Sequence, residues 1–322
     1  MAVTATGVRA GPGVAFLLRS REPAIRRLAR RDLLGEPVED APATGPLVRA
    51  LRRGQRRDGG FGAHPYKKWQ GAHWRLVSLV ELEVAPDERL RRAAGTVLDW
   101  LTGPGHRGGI RTVDGLVRRC ASQEGNALAA CSRLGLAADE RVALLARSLV
   151  EWQWPDGGWN CDLRASGRRS SFHESLPPLW GLHEYAAATG AGWAREAAER
   201  TAELLLEHRL FRSLRTGEPI RTEWLVPHHP PFWHYDTLRA LVVLARLGLA
   251  RDPRAAEAVD LLAARQRDDG TWHAGARWWR PPGAAGANVE AVDWGGRGPS
   301  EPLTLDALRV LRAAGRLSAP ED

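Results

Sequence analysis

Apolar residues recur at three- and four-residue spacing along most of the chain, and two kinds of helical segment alternate. Segments 47–53, 90–101, 142–152 and 255–264 are apolar along one face, the pattern of helices with one side in solvent. Segments 24–34, 72–84, 123–136, 176–188, 234–247 and 302–313 are apolar almost all round and so demand burial on more than one side. The alternation predicts an all-α chain in which six inner helices sit within outer ones, an α6–α6 barrel of helix-pair repeats. It predicts one domain over residues 1–322, with the repeating core at roughly 22–315.

A short motif ends several outer segments. Gln55, Asp58, Gly59, Gly60 and Phe61 recur as Gln153, Asp156, Gly157, Gly158 and Trp159, then as Gln266, Asp269, Gly270 and Trp272. Gly108, Gly109 and Ile110 form a degenerate copy, and the fourth unit carries 211–217 in its place. Glycine accepts the left-handed geometry that stops a helix, so each copy reads as a helix end followed by a tight turn.

These turns resemble the QW repeat of squalene cyclases and their protein-prenyltransferase relatives, an α/α-toroid superfamily. The resemblance implies that each Gln binds exposed backbone at a helix end while the aromatic ring packs over it, a structural role. It implies an enzyme acting on an isoprenoid or other hydrophobic substrate in the barrel cavity, with zinc as a candidate cofactor. The chain lacks the D-x-D-D acid of squalene cyclases and the D-D-x-x-D and N-S-E magnesium motifs of ionising terpene synthases, so neither mechanism transfers directly.

If the inner helices run the same way, their N-termini surround one mouth, where free amides and helix dipoles favour anions. The residues at those starts are polar: His73 beside Trp74, Glu124 near Asn126, His173 with Glu174, His234 with Tyr235 and Asp236, and Ser300 with Glu301. Capping accounts for Ser300, Asp236 and Glu174 but not for three histidines. The candidate acid/base set is therefore Glu124, Glu174, His73, Asp236 and Glu301, with Glu124 or Glu174 as the general acid/base. Trp74, Asn126, Trp233 and Tyr235 are candidate substrate contacts.

Cys161, His173 and His234 offer a soft anion and two imidazoles, a donor set suited to zinc, with Asp162 or Asp236 as an oxygen ligand. In protein prenyltransferases the metal is held by Asp and Cys near one inner helix and by His from a later one. Segment 232–235 is similar to that later segment, whereas the Asp-x-Cys part has no counterpart. The paired-cysteine pattern of lanthionine cyclases is not visible.

Composition narrows the classes further. A net charge of +8 and a pI near 10.3 raise nucleic acid as a partner, but the arginines are spread along helical faces and form no recognised motif, which argues against it. Lys67 and Lys68 are the only lysines among 46 basic residues. They read either as two solvated side chains or as point charges for a diphosphate. Three cysteines without a CxxC pair argue against a disulfide framework. The apolar stretch 13–18 is too short to span a bilayer, so the expectation is a cytoplasmic protein with no transmembrane segment, peripheral membrane contact remaining open. The class-different alternative to an enzyme is a noncatalytic toroid that binds a lipid or a partner.

Overall fold

The computed structural model describes residues 10–39, 44–275, 277–296 and 298–317. The chain is mostly helical. In order the α-helices are α1 (Ala10–Leu18), α2 (Pro23–Ala29), α3 (Pro46–Arg52), α4 (Ala72–Glu81), α5 (Glu88–Thr102), α6 (Pro104–Arg107) and α7 (Ser122–Arg133). They continue with α8 (Glu140–Trp152), α9 (Phe172–Thr189), α10 (Gly192–Glu207), α11 (Thr237–Arg246), α12 (Ala256–Ala263) and α13 (Glu301–Ala313). A two-stranded antiparallel hairpin, β1 (Arg111–Val113) and β2 (Leu116–Arg118), lies before α7. Among the described residues no helix is long and apolar enough to cross a membrane.

Neighbouring contacts run α4, α7, α9, α11, α13, α2, and α2 returns to α4 through Ile25, Leu28 and Val77 around one small void. These are the segments read as apolar all round. Around them lie α3, α5, α8, α10, α12 and α1, each against its inner neighbours. Their first turns are pinned by acidic caps where the sequence provides them: Asp87 accepts from the Leu90 amide and Asp139 from the Arg141 amide.

The repeated Gln turns join one outer helix to the next. Gln55 Nε2 donates to the carbonyls of Gly59 and Arg89, and Gln153 Nε2 donates to those of Gly157 and Ala197, tying each turn to the following outer helix. The indole N–H groups of Trp159 and Trp272 donate to the carbonyls of Leu149 and Leu262, last-turn acceptors of α8 and α12. The third turn meets α1: a side chain on Gly270 would come within 2.6 Å of the Gly13 amide. The N-terminal helix thus supplies the last outer element, a partner that no sequence motif announced.

Toward the C-terminal ends of the inner helices the interior is ionic rather than purely apolar. Glu81 accepts from Arg239 and Arg246 at 2.9 Å each, and both guanidinium groups lie over the Trp180 ring, at 4.7 and 5.2 Å. Trp180 donates to Glu184, which also accepts from Arg133. Arg133 and Arg31 in turn reach Glu83. Burial opposes ionisation of Glu81, but Arg239 and Arg246 outweigh it and hold the carboxyl well below its usual range.

Candidate functional site

The cavity expected inside the ring is not open. Among the described residues, two voids within the ring measure about 40 and 10 Å³, room for a few waters at most. Side chains fill the space: the ion network occupies one end and an aromatic plug the other. Trp69 stacks on Phe232 at 3.9 Å with planes 3° apart, and both pack with Trp74 and Trp279. Residues 283–296 lie over this plug, with the Trp69 amide donating to the Val289 carbonyl. It carries Glu290 inward, only 2% exposed, where burial pushes its carboxyl up to about 8. Asp293 instead turns to the Gly295 amide at the surface.

The N-terminal ends of the inner helices do gather side chains from several segments. Two glycines allow the closest approach: a Cβ on Gly125 of α7 would meet the Pro178 nitrogen at 2.3 Å, and one on Gly181 of α9 would meet the Gly125 carbonyl oxygen at 2.4 Å. With α7 and α9 so near, the Ser122 amide donates to Glu174 Oε2 at 2.9 Å. The β-hairpin supplies a further link. Arg118 pairs with Asn160, and the Arg119 amide donates to the Asn160 carbonyl, which lays Cys120 beside Cys161. Cys161 Sγ lies 3.8 Å from Glu174 Oε1.

Among the described residues, Cys120, Cys161 and Glu174 are the one set of three potential metal donors within 4.8 Å of one another. The expected set of Cys161, His173 and His234 is thereby corrected. His173 and Glu174 are successive residues on a helix, so they face about 100° apart. Glu174 faces α7, whereas His173 faces α11 and accepts from the Tyr235 amide at 2.8 Å through Nδ1. His234 is held between two indoles, 3.9 Å from Trp233 and 4.3 Å from Trp278. A hydrogen bond from Cys120 holds the Cys161 thiol below its usual value and pushes Cys120 up, while burial raises Glu174. Such a cluster retains protons that a divalent cation would displace.

The other candidates have defined surroundings. Glu124 Oε1 accepts from Arg119 at 2.8 Å and meets His106 Nε2 at 2.9 Å, while its Oε2 is buried without a partner. His73 is buried against Tyr66, Trp74 and Trp100 with neither ring nitrogen bonded, and burial lowers it to about 3, a neutral core imidazole. Trp74 is buried and donates to the Tyr66 carbonyl, and Asn126 donates to the Phe232 carbonyl. The Tyr235 hydroxyl donates to the Leu210 carbonyl. Glu301 accepts from Ser20, at the α1–α2 corner. Lys67 is exposed, while Lys68 Nζ lies over the rings of Trp233 and Trp69, at 5.1 and 5.4 Å.

Beside the mouth, on the α9–α11 side, a cleft of about 1340 Å³ opens to solvent. Its inner wall carries His173, His228 and His234; its rim carries Leu214, Ile220 and Trp278, exposed by 65, 38 and 42%. Asp236, the N-cap of α11, accepts from the Arg239 amide at 2.7 Å and lies 2.7 Å from His228 Nδ1.

No family model and no curated protein matches the chain. Among solved structures it is similar to a selenomethionine derivative of a GH76 α-mannanase from Bacteroides thetaiotaomicron, at 12% identity and a TM-score of 0.39. The likeness covers 76% of this chain and 68% of that one, and at that score it carries no inference about site or reaction.

Sequence reasoning missed Cys120, Tyr66 and His228. Cys120 sits two residues before α7, beside the polar helix start singled out from the sequence, but its partner comes through a hairpin pairing that spacing does not encode. His228 lies in the run 227–231 ahead of α11, and its pairing with Asp236 was the available signal: a short polar–Pro segment leading into a capped helix.

Proposed function

We propose that the chain is a single-domain α/α-toroid enzyme of the terpenoid-cyclase and prenyltransferase kind, working at the N-terminal mouth with a zinc ion held by Cys120, Cys161 and Glu174. The observation that carries this reading is the convergence of two thiols and a buried carboxylate from three segments. Two sulfurs and one oxygen suit a borderline-soft divalent ion and leave one tetrahedral position for a substrate atom. Zinc bound there would supply Lewis acidity at neutral pH.

The chain's own residues do the positioning. The Ser122 amide fixes the orientation of the Glu174 carboxylate, and the Arg118–Asn160 pairing fixes the two thiols. Burial raises the Tyr66 phenol, which shares this environment with both thiols and Glu174 and so stays protonated as a hydrogen-bond donor. An isoprenoid or other hydrophobic substrate would approach the zinc from the N-terminal mouth, since little open space remains within the ring. Lys68, over Trp233, offers a cation for an anionic head group.

Elemental analysis of protein purified without added metal tests this. About one zinc per chain is expected in the wild type and in His234→Ala, with loss in Cys161→Ser and Glu174→Gln. A wild type without stoichiometric transition metal, which added zinc neither occupies nor stabilises, would end the metal reading. The apolar rim of the cleft favours a second reading, a toroid that binds a lipid without turning it over. A bound apolar ligand recovered unchanged from zinc-loaded protein would select it.

A further inference from the structure

The chain has three cysteines, and two of them meet although α7 and α8 separate them in sequence. The sulfurs of Cys120 and Cys161 lie within 4.8 Å of each other, and Cys120 donates a hydrogen bond to Cys161. The backbone sets this pairing: Arg118 bridges Asn160 in parallel register, and the Arg119 amide donates to the Asn160 carbonyl at 3.0 Å. Paired segments lie about 4.8 Å apart, within the range of about 4.4–6.8 Å that a disulfide spans between Cα atoms. The two cysteines follow that pairing by one and two residues, so closing their sulfurs to about 2.05 Å falls chiefly to side-chain torsions. Both are half-buried, open in part to solvent at the junction of the hairpin and the loop that follows α8. Cys131, by contrast, is fully buried in the last turn of α7, about 14 Å along the helix from Ser122.

We propose that Cys120 and Cys161 form a reversible disulfide, and that this bond and a zinc ion exclude each other at one site. The disulfide stands on the geometry alone. The exclusion rests on the zinc reading, since a sulfur bonded to sulfur has no thiolate to give a metal.

The oxidant is a small-molecule disulfide. One protein thiol loses its proton to solvent and attacks a sulfur of that disulfide; a mixed disulfide forms, and the other half leaves as a thiolate that takes up a proton. The second cysteine then loses its proton and attacks the mixed disulfide at the protein sulfur, which closes Cys120–Cys161 and releases the second small thiol. Two protein thiols are oxidised and one small disulfide is reduced to two thiols. Oxidation thus removes both soft donors at once and leaves Glu174 as the remaining ligand of the three, too few to hold zinc. Bound zinc in turn occupies both thiolates and withholds them from exchange.

The test incubates the full reduced chain, stripped with a chelator, with glutathione disulfide, then quenches it, counts free thiols and maps linked peptides by mass spectrometry. Free thiols should fall from three to one, with Cys120 joined to Cys161 and Cys131 left free, and a dithiol reductant should restore all three. Cys131→Ser should still close the bond, whereas Cys120→Ser and Cys161→Ser should stop at the mixed disulfide. Zinc added beforehand should slow closure at least about tenfold, and the closed form should take up less than about a tenth of the zinc bound by the reduced form. The main readouts use the unaltered chain, so they survive if a variant fails to fold. Three free thiols persisting in glutathione disulfide, or linkage only between chains, overturns the disulfide. Closure at an unchanged rate in a reduced form that does bind zinc overturns the exclusion. Closure in a chain whose reduced form binds no zinc supports the disulfide and ends the zinc reading, so the two failures are distinguishable.

Discussion

The two ends of the ring solve the burial of polar groups in opposite ways. Toward the C-terminal ends Glu81 bonds Arg239 and Arg246, Glu184 bonds Arg133, and Trp180, which donates to Glu184 and lies under both Arg239 and Arg246, joins the two sets across four inner helices. At the N-terminal end Cys120, Cys161 and Glu174 face one another with protons still to lose, and the Nε2 of His228 has no partner. The first region is internally compensated and therefore structural. The second leaves donors and lone pairs open, and an open buried polar atom is where a ligand brings a favourable interaction that the fold alone does not provide.

The contrast is tested most severely at Glu81. Glu81→Ala leaves two buried guanidinium groups without their carboxylate and should cost about 3–5 kcal/mol in urea unfolding. Because the Glu81 and Glu83 carboxyls are held below their usual range, Glu83 at about 2, their stabilisation is present above the unfolded carboxylate pKa. It is lost as pH falls toward their folded values, so the wild type should lose stability below about pH 4 and Glu81→Ala should show a flatter acid limb. A small effect at Glu81 would mean that the two ends do not differ as described.

Gly125 connects architecture to site. Gly125→Ala places a methyl group 2.3 Å from the α9 backbone, which α7 must relieve by moving away, at about 3 kcal/mol. Because that approach also brings Ser122 to Glu174, the variant should lose zinc as well as stability, whereas Glu81→Ala should lose stability first. Retention of wild-type zinc in Gly125→Ala would separate the two regions more sharply than proposed here.

Glu290 sharpens the comparison with an opposite sign. Its folded pKa, about 8, is raised, so the protonated carboxyl fits the fold, and the stability it contributes is complete below the unfolded carboxylate value and lost as pH rises through 8. Glu290→Gln should therefore stabilise the protein by on the order of 4 kcal/mol at pH 8 and by little at pH 4, measured as unfolding midpoints at both values. The smallest effect belongs to Lys68→Ala. It removes a cation over one buried and one partly exposed indole, about 0.5–1 kcal/mol of stability, and should weaken binding of inorganic diphosphate if the head-group role holds.

The helical segments were legible in the sequence because apolar periodicity reports burial directly, and the Gln–Asp–Gly–aromatic turns were legible because a helix end needs glycine geometry and a backbone acceptor filled. Segments 72–84 and 123–136 became α4 and α7 with boundaries shifted by a few residues, and Gln55 and Gln153 bond to backbone as the resemblance implied. The polar residues at the inner-helix starts were likewise visible as a list. Tertiary structure alone decided what they do. Helix rotation sent His173 and Glu174 to different neighbours, a hairpin pairing brought Cys120 to Cys161, and the charged residues scattered through apolar helices closed into a network that fills the ring. A sequence records which residues are apolar and at what spacing, whereas the distance between two side chains on different helices depends on crossing angle, rotation and close approach at residues such as Gly125 and Gly181, quantities that arise only when the helices pack.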